Sequence, residues 1–164
     1  MTFSELKSLL THEFGTEALV GEEELVLMPN LTVRPESLVS ICEFLRNDER
    51  TYFDSLSCLT ALDNGTDTFE VAYNLFSIPY EHAICLKVKL PRQEGTQPSV
   101  NSVSEIWRTA NWHEREAYDL MGIHFEGHPD LRRILLPEDW EGHPLRKDYT
   151  EQERYHGITV KYEA

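Results

Sequence analysis

With 164 residues, 40% of them hydrophobic, the chain has enough apolar material for one domain, or one domain with a tail, and its mean hydropathy of −0.45 lies on the polar side. A formal net charge of −14 argues against a nucleic-acid partner, because phosphate recognition needs a basic face. No run of about 18 apolar residues exists, so no membrane span is expected. The opening MTFSELKSLLTHEFG is acidic and amphipathic, unlike a signal or transit peptide. Phe3, Leu6, Leu9, Leu10 and Phe14 recur at helical spacing and Gly15 follows as a stop, which predicts a helix of the mature protein. ALVGEEELVLMPN reads as two short strands around an acidic turn, or one irregular hairpin. Pro35 suits a first helical position, and Leu38, Ile41, Cys42 and Leu45 mark one face of a second helix to about Asn47. Three strand-like runs follow at 52–63, 68–79 and 82–91, the first pair joined through an Asn-Gly turn. The order α-β-β-α-β-β-β, with strands clustered, predicts an α+β fold in two layers, a mixed sheet with helices on one face.

A polar connection, RQEGTQPSV, leads to Ser102-Val103-Ser104-Glu105, the pattern of a capping box, which predicts a helix over about 103–121 ending at Gly122. Periodicity then fails, and GHPDLRRILLPEDWEGHPLRKDY should be extended and irregular. The expected organisation is a body over 1–126 that includes this helix, followed by a segment over 127–164 packed on the body and on partners. On the helix, Val103, Trp107, Ala110, Ala117, Tyr118 and Met121 form an apolar stripe, and Glu114 falls near its centre. A carboxylate facing a core needs a partner, and Arg132, Arg133 or Arg146 are the expected ones. Arg115 and Asp119, spaced i, i+4, and Glu116 near Trp112 are expected on the opposite, polar face, one suited to meeting another protein.

Two chemical readings compete with an interface. Glu114 could serve as a general acid or base, but no nucleophile motif stands beside it. A metal-dependent enzyme could use His124, His128 and His143 with Glu114 or Asp119, yet HEREA lacks the second histidine of H-E-x-x-H, and glycines and Pro129 interrupt the His124–His128 spacing. Cys42, Cys58 and Cys85 stand far apart, which suggests buried thiols rather than cluster ligands. No phosphate loop or G-x-G-x-x-G turn is present. No catalytic, metal or cofactor site is therefore expected on the chain, and a generic acidic adaptor is a further alternative.

Two motifs carry a family resemblance. The first runs Glu114-Arg115-Glu116, then Asp119, the apolar pair Leu120-Met121, His128, Arg132 and Ile134-Leu135. The second is Pro144-Leu145-Arg146-Lys147-Asp148-Tyr149. With the intervening GHPDLRRIL and EDWEGH, they make the chain similar to the 30 kDa subunit of respiratory complex I, the proton-pumping NADH:quinone oxidoreductase. The resemblance covers most of the chain and implies the α+β body with less specificity.

That resemblance implies a redox-inactive subunit of the peripheral arm, on the reducing, cytoplasmic side of the plasma membrane, or the matrix or stroma of an organelle. It would brace the large quinone-site subunit (the 49 kDa type) and touch neighbouring iron–sulfur subunits. FMN, iron–sulfur clusters, NADH and quinone would belong to other subunits. Equivalent subunits serve membrane-bound hydrogenases and ferredoxin- or F420-type complexes, which leaves the donor open. The implied signature and interface residues are Glu114, Arg115, Glu116, Asp119, Gly122, Phe125, Gly127, His128, Arg132, Arg133, Trp140 and the hexapeptide from Pro144 to Tyr149. Leu131, Ile134, Leu135, Trp140 and Leu145 would be apolar anchors, and Arg132, Arg133, Arg146 and Lys147 would meet carboxylates of the partner. Many members continue well past the second motif, whereas this chain stops fifteen residues after Tyr149, as expected of a compact complex or of fewer contacts there.

Overall fold

The computed structural model describes residues 1–65, 67–93 and 95–160. In chain order it has α1 (Phe3–Phe14), β1 (Leu19–Glu23), β2 (Asn30–Val33), α2 (Leu38–Asn47), β3 (Ser55–Asp63), β4 (Thr68–Ser77), β5 (His82–Pro91), β6 (Ser99–Asn101), α3 (Ala110–Met121), β7 (His124–Glu126), β8 (Arg154–Tyr155) and β9 (Ile158–Thr159). The expected α-β-β-α-β-β-β order and the α+β class are what the chain adopts. The second strand lies later than expected, at Asn30–Val33, because residues 25–28 form exposed bends. A 3-10 turn, Pro35–Ser37, precedes α2.

A capping box does form, but at α1. There Thr2 Oγ1 accepts from the Glu5 N–H at 3.3 Å, and Glu5 Oε2 accepts from the Thr2 N–H at 2.7 Å. Gly15 ends the helix as expected.

The main sheet has the order β1-β2-β5-β4-β3, with β2 and β5 parallel and the other pairs antiparallel. Leu6 and Leu10 of α1 and Leu38, Ile41, Cys42 and Leu45 of α2 join the strands in one core. Phe14 and Phe44 meet edge-on with ring centroids 5.6 Å apart, tying the two helices together. The strand β3 carries a register shift between Leu56 and Cys58, which lets Leu56 and Leu59, three residues apart, both point into the core. Cys42 and Cys85 are buried, but Cys58 is only half-buried, unlike the three buried thiols expected.

The last helix, α3, packs along β3 at one edge of the sheet. On either side of it β6 and β7 pair in parallel, with Ser99 opposite His124 and Asn101 opposite Glu126, so α3 is the crossover of a small βαβ unit. The helix starts at Ala110, not near residue 103. Val103 to Trp107 make one isolated turn, with the Ile106 and Trp107 N–H groups both donating to Val103 O at 3.0 Å. The expected cap at Ser102 does not form: its hydroxyl donates to Glu114 and its oxygen accepts from the Ser104 N–H at 3.1 Å instead of from Glu105.

Candidate functional site: a helix end closed by the C-terminal segment

The side chain of Glu114 is fully buried, as its place on the apolar stripe predicts, but its partners are not arginines. Its Oε2 accepts from Ser102 Oγ at 2.6 Å and its Oε1 from the Val103 N–H at 2.7 Å. His128 Nε2 stands 3.9 Å away. Burial raises the Glu114 carboxyl to about 7, against the lowering effect of those two bonds. The Cys42 thiol and Tyr73 hydroxyl share this interior, and burial, with Glu114's charge added, pushes both up.

Arg115 and Asp119 are likewise buried, which corrects their expected place on an outward polar face. Arg115 donates from Nε to Arg132 O at 3.2 Å and from Nη2 to Arg133 O at 3.3 Å, and its guanidinium lies 5.3 Å from the centre of the Trp112 ring. Asp119 holds the charge pair that Glu114 was expected to hold. Its Oδ1 accepts from Arg133 Nη1 at 2.7 Å, and its Oδ2 accepts three successive backbone N–H groups, of Ile134, Leu135 and Leu136, at 3.0, 2.7 and 2.9 Å. Burial pushes the Asp119 carboxyl up, but the Leu136 N–H, the Arg133 guanidinium and the Leu135 and Ile134 N–H groups outweigh it, and the net shift is downward.

The same segment closes the end of α3. The last carbonyls of a helix have no partner inside it. Here Asp119 O accepts from Arg133 Nη1 at 3.1 Å and from His143 Nδ1 at 2.9 Å. Leu120 O accepts from the Leu145 N–H at 3.1 Å, Met121 O from Arg146 Nε at 2.7 Å, and Gly122 O from Gln97 Nε2 at 3.3 Å. Gly122 is left-handed, with φ of 70°, and a Cβ there would come within 2.5 Å of His143 and 2.6 Å of Arg146. Glycine is therefore required twice, by backbone conformation and by close approach.

The hexapeptide continues the closure onto the sheet. Lys147 N–H donates to Asp63 Oδ2 at 2.8 Å, and Asp148 Oδ1 pairs with Arg92 at 3.1 Å. Arg92 also bridges to Asp63 at 2.8 Å. The guanidinium carbons of Arg92 and Arg146 lie 4.7 and 5.0 Å from the Phe69 ring centre. Tyr149 packs against Gly142, where a Cβ would meet its ring at 2.9 Å. Burial pushes the Asp63 carboxyl up, but the Lys147 and Gly65 N–H groups and Arg92 outweigh it and leave it low. Sequence reasoning missed Asp63 and Arg92, and gave Ser102 a capping role where it bonds Glu114. Asp63 was the last residue of a strand-like run, and nothing local links it to Lys147.

The remaining expected residues divide by place. Phe125 is in the core, and Gly127, with φ of 80°, turns the chain out of β7. His128 Nδ1 accepts from the Asp130 N–H at 3.0 Å, so Nε2 carries the proton and donates to Asn111 O at 3.1 Å. Among the described residues the Arg132 side chain bonds Asp130 alone, at the surface, while Arg133 reaches Trp140 O and Gly142 O as well as Asp119. Trp140 meets Tyr155 with ring centroids 5.2 Å apart and the ring planes tilted by 46°. His124 is exposed, and among the described residues no three of His, Cys, Asp and Glu gather as a metal would require. Outward of the closure stand Trp112, Glu116, Leu135 and Leu145. A groove of about 240 Å³ between β3 and α3 is lined by Leu59, Ala61, His113, Glu116, Leu120 and Leu145.

Residues 31–155 match the model of the respiratory-chain NADH dehydrogenase 30 Kd subunit. The chain belongs to this family. It is 46% identical over 156 residues to an NADH-quinone oxidoreductase subunit of Chloroherpeton thalassium, covering 94% of this chain and 63% of that protein. It is 50% identical over 124 residues to the equivalent NADH-quinone oxidoreductase subunit of Chlorobium phaeobacteroides, covering 74% of this chain and 73% of that one. The chain thus spans less than two thirds of the first relative's length. A chain of the membrane-bound sulfane sulfur reductase, an archaeal respiratory membrane complex, shares the fold with a TM-score of 0.71 at 20% identity, over 98% of this chain and 95% of that one. Among the described residues of this family member, no helix is long and apolar enough to cross a membrane.

Proposed function

We propose that this chain is a redox-inactive subunit of the peripheral arm of a proton-pumping NADH:quinone oxidoreductase, where it braces the large quinone-site subunit beside iron–sulfur subunits. It works by geometry, while FMN, clusters, NADH and quinone belong to other subunits. It sits peripherally on the cytoplasmic face of the plasma membrane, held there by the complex. The observation that carries this reading is how α3 and the C-terminal segment divide their groups. Arg115, Asp119, Arg133 and Arg146 are bonded within the chain, which frees Leu135, Leu145 and Trp112 to face outward. The anchors are therefore mostly apolar, and of the four cations expected there, Arg132, which pairs with Asp130 at the surface, and the exposed Lys147 are the two left to meet carboxylates of a partner.

Native purification of the chain, with its companions identified, tests this. Cluster-bearing and membrane subunits should accompany it, and the donor subunits found would name the electron source. Leu135→Ser with Leu145→Ser should leave the free chain as stable as before and reduce its recovery with the complex at least tenfold. Unchanged recovery would remove this face as the interface. The metal-enzyme alternative requires converging histidines, but His128 and His143 bond two different carbonyls.

A further inference from the structure

The bend between β1 and β2 carries four consecutive large apolar residues, and all are exposed. Leu25 is 99% exposed, Val26 46% and Met28 42%, and Leu27 is fully open to solvent. A run of this kind at the tip of a loop is costly in water and is kept where it meets something. It does not belong to the surface described above. The strand β1 forms one edge of the sheet and β3, which carries α3, the other. Four strand spacings put the two edges about 19 Å apart.

The charge around the tip selects its occupant. Between Lys7 and Arg34 the chain has no lysine or arginine, and Glu13, Glu17, Glu22, Glu23 and Glu24 fall in that interval. Glu22 is held by Lys7 at 2.5 Å and Glu23 by Lys87 at 3.3 Å, while Glu24, next to the tip, is exposed. An amphipathic element that seats on an anionic bilayer brings cations with its apolar residues. This one brings acids, and a second copy of the chain would bring the same acids to the contact. We propose that the 25–28 tip is a second docking element that inserts into an apolar cleft of another protein subunit, with a Lys/Arg rim facing Glu24.

This rests on the subunit role proposed above, and the test separates the two. A photoreactive residue at position 26 is introduced into the chain of the natively purified complex, alongside a Leu25→Asp/Leu27→Asp variant. The expected adduct joins position 26 to a peptide of a different subunit that has apolar residues flanked by lysine or arginine. The double variant should be recovered with the complex at least tenfold less than the unmodified chain. Its own melting temperature should not fall, because Leu25 and Leu27 are open to solvent. Undiminished recovery, or an adduct to lipid or to a second copy, overturns the docking element and leaves the subunit role standing. If the unmodified chain purifies with no companion, both fail.

Discussion

Glu114 and Asp119 are both fully buried on α3, yet their carboxyls shift in opposite directions, up for the first and down for the second. The difference is the number of donors each receives. Glu114 has one hydroxyl and one N–H, while Asp119 has a guanidinium and three N–H groups. Because the folded chain holds the Glu114 proton to about 7, against 4.5 ordinarily, it binds more protons than the unfolded chain in that interval. Stability from this group is therefore complete below about 4.5 and is lost as pH rises through about 7. Glu114→Gln, whose Oε1 can accept from the Val103 N–H while its Nε2 donates to Ser102 Oγ, should gain on the unmodified chain by on the order of 2–3 kcal/mol between acid and pH 8 in urea unfolding. A constant gap would mean that Glu114 ionises at its ordinary value. Asp119 has the opposite sign, its contribution being present above the ordinary carboxylate range and lost as pH falls through its lowered value. Asp119→Asn strands the Arg133 charge and should cost about 3–5 kcal/mol, read from thermal melts. The inward aim of Glu114 was legible from helical spacing alone. Its partner was not, because Ser102 competes for the carboxylate only once the chain before α3 folds back over the helix.

At the level of elements, the end of α3 and the segment that closes it are interdependent. Gly122→Ala would force a Cβ onto His143 and Arg146 and would strain the left-handed backbone by about 1–2 kcal/mol. Limited proteolysis should then cut within 140–149 at least several-fold faster, while the main sheet stays intact. Resistance equal to the unmodified chain would show that the segment is held without the helix end. The strands β3, β4 and β5 were readable because alternation and the Asn-Gly turn are local signals. The start of α3 was misplaced by a capping pattern that is real in sequence but whose hydroxyl is spent elsewhere. Arg115 and Asp119 were placed outward because helical periodicity ranks polar residues as solvent-facing. The C-terminal segment, which supplies carbonyls, N–H groups and a guanidinium to them, has no periodicity to announce it.

Across the whole molecule, Asp63 joins the sheet to the closing segment. Asp63→Ala would remove the acceptor of the Lys147 N–H and one partner of Arg92. Hydrogen exchange at the Lys147 amide should accelerate by an order of magnitude or more, with β4 amides unchanged. Acceleration throughout β4 would instead make Asp63 a determinant of the entire fold. The outward face is set in the same way, since Leu135 and Leu145 follow directly on groups anchored to Asp119 and Leu120.

The bond from Lys147 to Asp63 spans 84 positions, whereas β3 and β4 are joined by a short turn. Closing a loop of that length costs about 4 kcal/mol in chain entropy, before the contacts that offset it exist. The sheet should therefore assemble first, and the closing segment should settle last. A refolding chain would pass through a stage with a native sheet and no anchored Leu135 or Leu145. The order of folding events would thus decide when the chain becomes competent to be incorporated.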